Sequence, residues 1–150
     1  MKISIVSGSR AESGILSRFV DLLESMSEND ISVFFTGCHP WFTQKKYRDR
    51  LYDYFKFAFR VEEFLDTNID AEKISYGIGK SFLQFSSSRN FLDSDLVVVL
   101  GDRYEIIPPC IVARLNGIPA LHFHGGEVTK GAMDDWIRYV VSKASTLHFV

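Results

Sequence analysis

The sequence predicts an α/β domain built on a doubly wound parallel sheet, and three observations carry that prediction. Strand and helix patterns alternate from one end to the other. Residues 95–100, Asp-Leu-Val-Val-Val-Leu, are apolar almost throughout, as strands buried on both faces are. Polar clusters containing glycine follow the strands. At 150 residues the chain has the length of one domain with one sizeable core.

The elements read in order. Residues 2–6 form a β-branched run that ends at Ser7-Gly8-Ser9. Ile15, Leu16, Phe19, Val20, Leu22, Leu23 and Met26 then recur at helical spacing, until Glu28-Asn29-Asp30 breaks the pattern. Residues 31–36 read as the second strand, closed by Gly37; 40–54 as an irregular, aromatic, partly helical segment; and 57–64 as the place of a third strand. A long helix pattern begins at Asp70 or Ala71 and reaches Leu92, with interruptions expected at Gly77 and Gly79. After the strand at 95–100 comes a helix over 106–116, with Pro108 in its first turn, where proline is tolerated. A strand over 118–123, a helix over 132–144 and a further strand from 146 complete the chain. The last pattern has no closing helix, so the chain is expected to be a piece that is incomplete at its C-terminal end.

Composition removes several classes of function. Hydrophobic residues at 46% and charged residues at 24% are globular values, and argue against disorder and a membrane role. The net charge of -2 supplies no basic excess for nucleic acid. No apolar run is long enough for a bilayer span, and no charged segment with an apolar core precedes residues 2–6 as in a secretion signal. Cys38 and Cys110 stand apart, without metal or redox spacing, which fits a reduced cytoplasmic protein with two structural thiols. Thirteen phenylalanines point to an aromatic core or a covered interface.

In a doubly wound sheet the strand C-terminal ends share one edge, where ligands bind. Three loops converge there. In Ser7-Gly8-Ser9-Arg10, the free N–H groups of the following helix could hold a phosphate, or Ser9 could simply cap it. In Gly101-Asp102-Arg103, the acid could act as a base, bind a ribose or cap the next helix. In His122-Phe123-His124-Gly125-Gly126-Glu127, strand alternation puts both histidines on one face. That pair with Glu127 could bind a metal, although further ligands are absent at ligand spacing, and an inward His122 suits a hydrogen-bonded core position. The glycine pair suggests a ligand pressed against the backbone. Asp134 and Asp135 open the next helix, as caps or beside the same cleft, and Arg138 lies one turn on. Gly79-Lys80-Ser81 imitates the end of a phosphate loop. It lacks the upstream glycine and a preceding strand, and reads as helix surface.

The segments Gly-Ser-Arg-Ala-Glu at 8–12, Leu-Gly-Asp-Arg-Tyr-Glu at 100–105 and His-Phe-His-Gly-Gly-Glu-Val-Thr-Lys-Gly-Ala-Met-Asp-Asp-Trp-Ile-Arg at 122–138 closely resemble the hydrolysing UDP-N-acetylglucosamine 2-epimerases of sialic and related nonulosonic acid synthesis. The resemblance runs through the whole chain. It implies the first Rossmann-like half of a two-domain architecture of the glycosyltransferase-B type. The C-terminal nucleotide-binding domain would then lie outside these residues, and this piece alone would be inactive. It also implies a UDP-sugar substrate, no cofactor or metal, and a homo-oligomer. By motif position, Asp102, Asp134 and either His124 or Glu127 would be catalytic. Gly8, Arg10, Arg103, Gly125, Gly126 and Arg138 would contact substrate. Many members of that family carry Glu where this chain has His124, a small Ser where it has Trp136, and Tyr where it has Ser13. The alternatives are a non-hydrolysing epimerase or glycosyltransferase of the same build, a metal hydrolase, and a non-catalytic module using the aromatic segment 41–59 for contacts.

Overall fold

The computed structural model describes residues 1–26, 28–37, 55–58, 70–125 and 135–150; position 10 and the strand at 55–58 are described by backbone alone. The order of elements is β1 (Lys2–Ser7), α1 (Arg10–Met26), β2 (Asp30–Phe35), β3 (Phe55–Ala58), α2 (Ala71–Ser87), α3 (Arg89–Leu92), β4 (Leu96–Leu100), a 3-10 turn (Tyr104–Ile106), α4 (Ile107–Leu115), β5 (Ala120–Phe123), α5 (Asp135–Ala144) and β6 (Leu147–Phe149).

The strands form one parallel sheet in the order β3-β2-β1-β4-β5-β6. The chain starts at the centre, builds outward to β3, returns to place β4 beside β1, and builds outward again. The crevice between β1 and β4 is the point where the strand order reverses.

Side-chain alternation explains why this sheet needs helices on both faces. In the central strands Ile3, Ile5, Ile31, Val33, Phe35, Val98 and Leu100 point one way, onto Leu16 and Val20 of α1. Val6, Phe34, Val97 and Val99 point the other way, onto Phe85, Phe91, Val112, Ile137 and Val141 of α2–α5. Three rings lock the second layer: Phe91 meets Phe34 edge-on at 5.5 Å and Phe85 at 4.8 Å. Much of the chain's phenylalanine thus fills core.

The helices depart from expectation in one place. α2 runs unbroken through Gly77 and Gly79, and the interruption falls at Ser88 instead. The Asp70 carboxylate caps its start by accepting the Lys73 N–H, while Phe85 and Ser81 are buried on its inner face. That anchoring outweighs the roughly 1 kcal/mol each helical glycine costs. Ser88 ends α2 and caps α3, its hydroxyl accepting from the Phe91 N–H. The helix expected over 106–116 forms as α4, entered through the 3-10 turn at Tyr104–Ile106. Gly79-Lys80-Ser81 lies inside α2, with Lys80 over the Tyr76 ring, so it forms no phosphate loop. The third strand starts two residues before the expected segment; the rest of that segment, residues 40–54 and 132–134, and Cys38 lie outside the described residues. Cys110 is a buried free thiol, pushed up to about 12 by burial. Among the described residues no helix is long and apolar enough to cross a membrane.

Candidate active site

The loops after β1, β4 and β5 open on one cleft of about 310 Å³, lined by Ser9, Glu12, Gly101, Asp102, Arg103, His124 and Arg138 among others. The structure therefore brings together Asp102, Arg103, His124 and Arg138, four residues picked out from the sequence. Gly126, Glu127, Asp134 and the side chain of Arg10 lie outside the described residues.

Asp102 owes its position to Gly101, whose φ of +86° turns the chain sharply at the end of β4. Across the cleft, α5 anchors on the core through Ile137 and Val141, which carries the neighbouring Arg138 over the sheet edge. The Arg138 guanidinium donates through Nη2 to the Asp102 carboxylate. Asp102 is 29% exposed and Arg138 11%, so the acid faces the cleft and the cation backs it. The sequence offered Arg138 to an anionic group of a ligand; the anion it meets here is Asp102.

His124 corrects a sequence expectation. β5 ends at Phe123, and His124 turns out of the strand with φ +61°. Alternation therefore does not carry past Phe123: His122 is buried and His124 is exposed at the cleft. The backbone N–H of His124 donates to the Phe149 carbonyl at 2.7 Å, which fixes the turn to β6. A non-glycine residue held in the left-handed region costs about 1–2 kcal/mol, and such strain gathers at functional sites.

His122 has both ring nitrogens engaged. Nε2 lies 2.6 Å from the Gly101 carbonyl and Nδ1 3.3 Å from the Ser142 hydroxyl. Burial holds this imidazole below the usual histidine range, helped by the nearby His148 and Arg138. Both nitrogens are thus hydrogen-bonded within the protein, which is the buried core position the sequence also offered for His122. Among the described residues no group of three or more metal-binding side chains gathers. Gly125 is also explained from within. A Cβ there would stand 2.7 Å from His122 Nδ1 and 2.9 Å from His148 Cβ, so the protein's own side chains already require a glycine at this position.

In the first loop the Glu12 carboxylate occupies the Gly8 and Ser9 amides. It accepts from the Gly8 N–H at 2.7 Å, the Ser9 N–H at 3.3 Å and the Ser9 hydroxyl at 3.1 Å. Ser9 sits at the cap position, and its hydroxyl donates to Glu12. Burial raises Glu12 from 4.5 to about 7, against the hydrogen bonds from Gly8 and Ser9, with the neighbouring Glu105 adding to the rise. Glu105 is fully buried and holds the Arg103 guanidinium, with Nη2 to Oε1 at 2.7 Å and Nε to both oxygens. Arg103 thus reaches the cleft already paired. Gly37, at φ +64°, leaves the room that Glu105 fills: a Cβ there would sit 2.4 Å from Glu105 Cγ.

A parallel sheet in this strand order, with a carboxylate, a guanidinium and an imidazole gathered at its C-terminal edge, defines an α/β domain of the Rossmann type. The chain belongs to the UDP-N-acetylglucosamine 2-epimerase family, which matches residues 22–150. It is 33% identical to polysialic acid biosynthesis protein P7 of Escherichia coli, over 98% of this chain and 38% of that protein. It is 37% identical to the GDP/UDP-N,N'-diacetylbacillosamine 2-epimerase (hydrolyzing) of Campylobacter jejuni, over 99% of this chain and 38% of that one. The fold is similar to the crystal structure of a UDP-N-acetylglucosamine 2-epimerase, with a TM-score of 0.80 and 18% identity, covering all of this chain and 41% of that one. The chain thus spans about two fifths of the length of these proteins.

Proposed function

We propose that the protein containing this chain is a hydrolysing 2-epimerase that converts UDP-N-acetylglucosamine to UDP and free N-acetylmannosamine. The observation that carries the reading is the Asp102 carboxylate, backed by Arg138 and facing His124 in an open cleft at the sheet's reversal point. The C2 hydrogen of the substrate is not beside a carbonyl and is barely acidic. Its removal must accompany loss of UDP. A base takes the C2 proton, the C1–O bond breaks with its electron pair leaving on UDP, and a C1–C2 double bond remains. Water then adds, hydroxyl to C1 and a proton to the opposite face of C2. This needs a carboxylate base, an acid and cationic partners around one ring.

In this reading Asp102 and Asp134 are catalytic, and His124 or Glu127 serves as the other acid–base group. An imidazole suits proton exchange near neutral pH. Gly8, Arg10, Arg103, Gly125, Gly126 and Arg138 shape the sugar side, and a second domain supplies the rest of the UDP site. A homo-oligomer in the cytoplasm, feeding nonulosonic acid synthesis, completes the reading.

The test is proton NMR of the full-length protein with UDP-N-acetylglucosamine. Free N-acetylmannosamine with UDP is the expected product, and Asp102→Asn should lower kcat by about 10²–10⁴-fold. An epimerised nucleotide sugar as the only product would defeat the hydrolysing assignment. A second reading, favoured by the Campylobacter relative's name, is a sugar with a second acetamido group on UDP or GDP. A higher kcat/KM on that substrate would select it.

A further inference from the structure

We propose that His122 is the positioning residue of the Asp102 carboxylate, acting on it through the peptide plane between Gly101 and Asp102. The inference rests on the proposed role of Asp102; its structural part stands without it.

A carbonyl can only accept, so the 2.6 Å contact makes His122 Nε2–H the donor to Gly101. In a neutral ring Nδ1 is then the acceptor, and the Ser142 hydroxyl donates to it. The Gly101 carbonyl thereby fixes the tautomer, and the Ser142 hydroxyl satisfies the nitrogen that this leaves as acceptor. The charged groups around the ring are Arg138 and Asp102 toward the cleft and His148 on β6. Burial dominates all three and keeps the ring neutral.

The Gly101 backbone is held from both sides. Its N–H donates to the Phe123 carbonyl at 3.0 Å, and its carbonyl accepts from His122. Glycine at φ +86° with open space around it has little intrinsic preference for one plane orientation. The imidazole supplies that preference one bond before the Asp102 Cα. On α5, Arg138 and Ser142 are one helical turn apart: the first grips the Asp102 side chain and the second grips the ring that sets its backbone. Gly125 completes the device, because a side chain there would displace Nδ1. The partners come from two other segments, the turn after β4 and helix α5, and both of these segments also position Asp102.

The test uses the full-length protein. UDP-N-acetylglucosamine turnover gives kcat and KM, and hydrogen–deuterium exchange follows the Gly101 amide. His122→Phe keeps a ring and loses both hydrogen bonds, while His122→Gln keeps an N–H that reaches the Gly101 carbonyl. The expected result for His122→Phe is a kcat lower by about 100-fold, with KM within about threefold. His122→Gln should return kcat to within about tenfold of wild type, and Gly101 exchange should accelerate in His122→Phe alone. Wild-type kcat in His122→Phe would overturn the proposal, as would equal losses in the two variants. If wild type turns over no nucleotide sugar, the proposed function fails, and exchange alone decides on His122: protection lost in Phe and kept in Gln supports it, and no difference between them overturns it. If His122→Phe does not fold, Ser142→Ala replaces it; a kcat lower by about tenfold is expected, and wild-type kcat overturns the proposal.

Discussion

The two edges of the sheet are built on different terms. At the N-terminal edge of the strands, polar groups are settled by neutral or exposed partners. The Lys2 N–H donates to the exposed Asp95 carboxylate at 2.7 Å, and the Ser4 and Ser94 hydroxyls share a hydrogen bond of 2.6 Å. At the C-terminal edge, Glu12, Glu105, His122 and Arg138 are buried, and Gly37, Gly101 and His124 are held at positive φ. The same sheet makes both edges, so nothing in its geometry requires buried charge at one of them. Features that cost stability gather where the cleft is, as expected of a site whose side chains are held ready.

Substitutions at the two edges can break that comparison. The largest effect should come from Gly37→Ala. The left-handed backbone and the overlap with the pinned Glu105 side chain together cost about 3–4 kcal/mol, read by urea unfolding. Gly101→Ala meets open space and should lose only the backbone cost of about 1–2 kcal/mol. Equal losses at the two glycines would mean that Glu105 is not the obstacle at Gly37.

Arg103→Met leaves the fully buried Glu105 without its cation and should cost about 3 kcal/mol at neutral pH.

Glu12 sets a pH dependence of opposite sign to that of an ordinary paired carboxylate. Its folded value is raised, from 4.5 to about 7, so the folded state binds the extra proton between those limits. Its contribution is fully present below about pH 4.5 and is lost as pH rises through about 7. The loss is on the order of 3 kcal/mol. The difference in unfolding free energy between wild type and Glu12→Gln should follow this course; a difference flat from pH 5 to 8 would mean that Glu12 ionises normally. The smallest effect belongs to the other edge: Ser94→Ala removes the partner of Ser4 and should cost about 1 kcal/mol at every pH.

Much of the fold was legible because it rests on repeating patterns. The strand at 95–100 declared a buried parallel sheet, and polar loops after strands located the cleft at Asp102, Arg103, His124 and Arg138. What stayed hidden depends on contacts between distant segments. Glu12 was visible only as a letter in the first motif. Its hold on the Gly8 and Ser9 amides comes from a helix turn folding back on the loop, and the only available signal was a Glu three residues after a cap-position Ser. Glu105 matters because Gly37, 68 positions earlier, makes room for it; single-sequence spacing holds no trace of that. The helix break at Ser88 was misplaced because glycine propensity was weighed without the capping and packing that override it.

β1 and β4 lie side by side, yet Ile3 pairs with Leu96 across more than ninety intervening positions. Bringing them together closes the longest loop in the central sheet, the kind of step that slows folding. The β1 and β4 walls of the cleft meet only once that loop has closed. The outer strand pairs can form before this, but they cannot bring Glu12 and Asp102 to face the same space. A partly folded chain would therefore hold elements of secondary structure and no pocket, and binding at the cleft would report that the central pair has zipped.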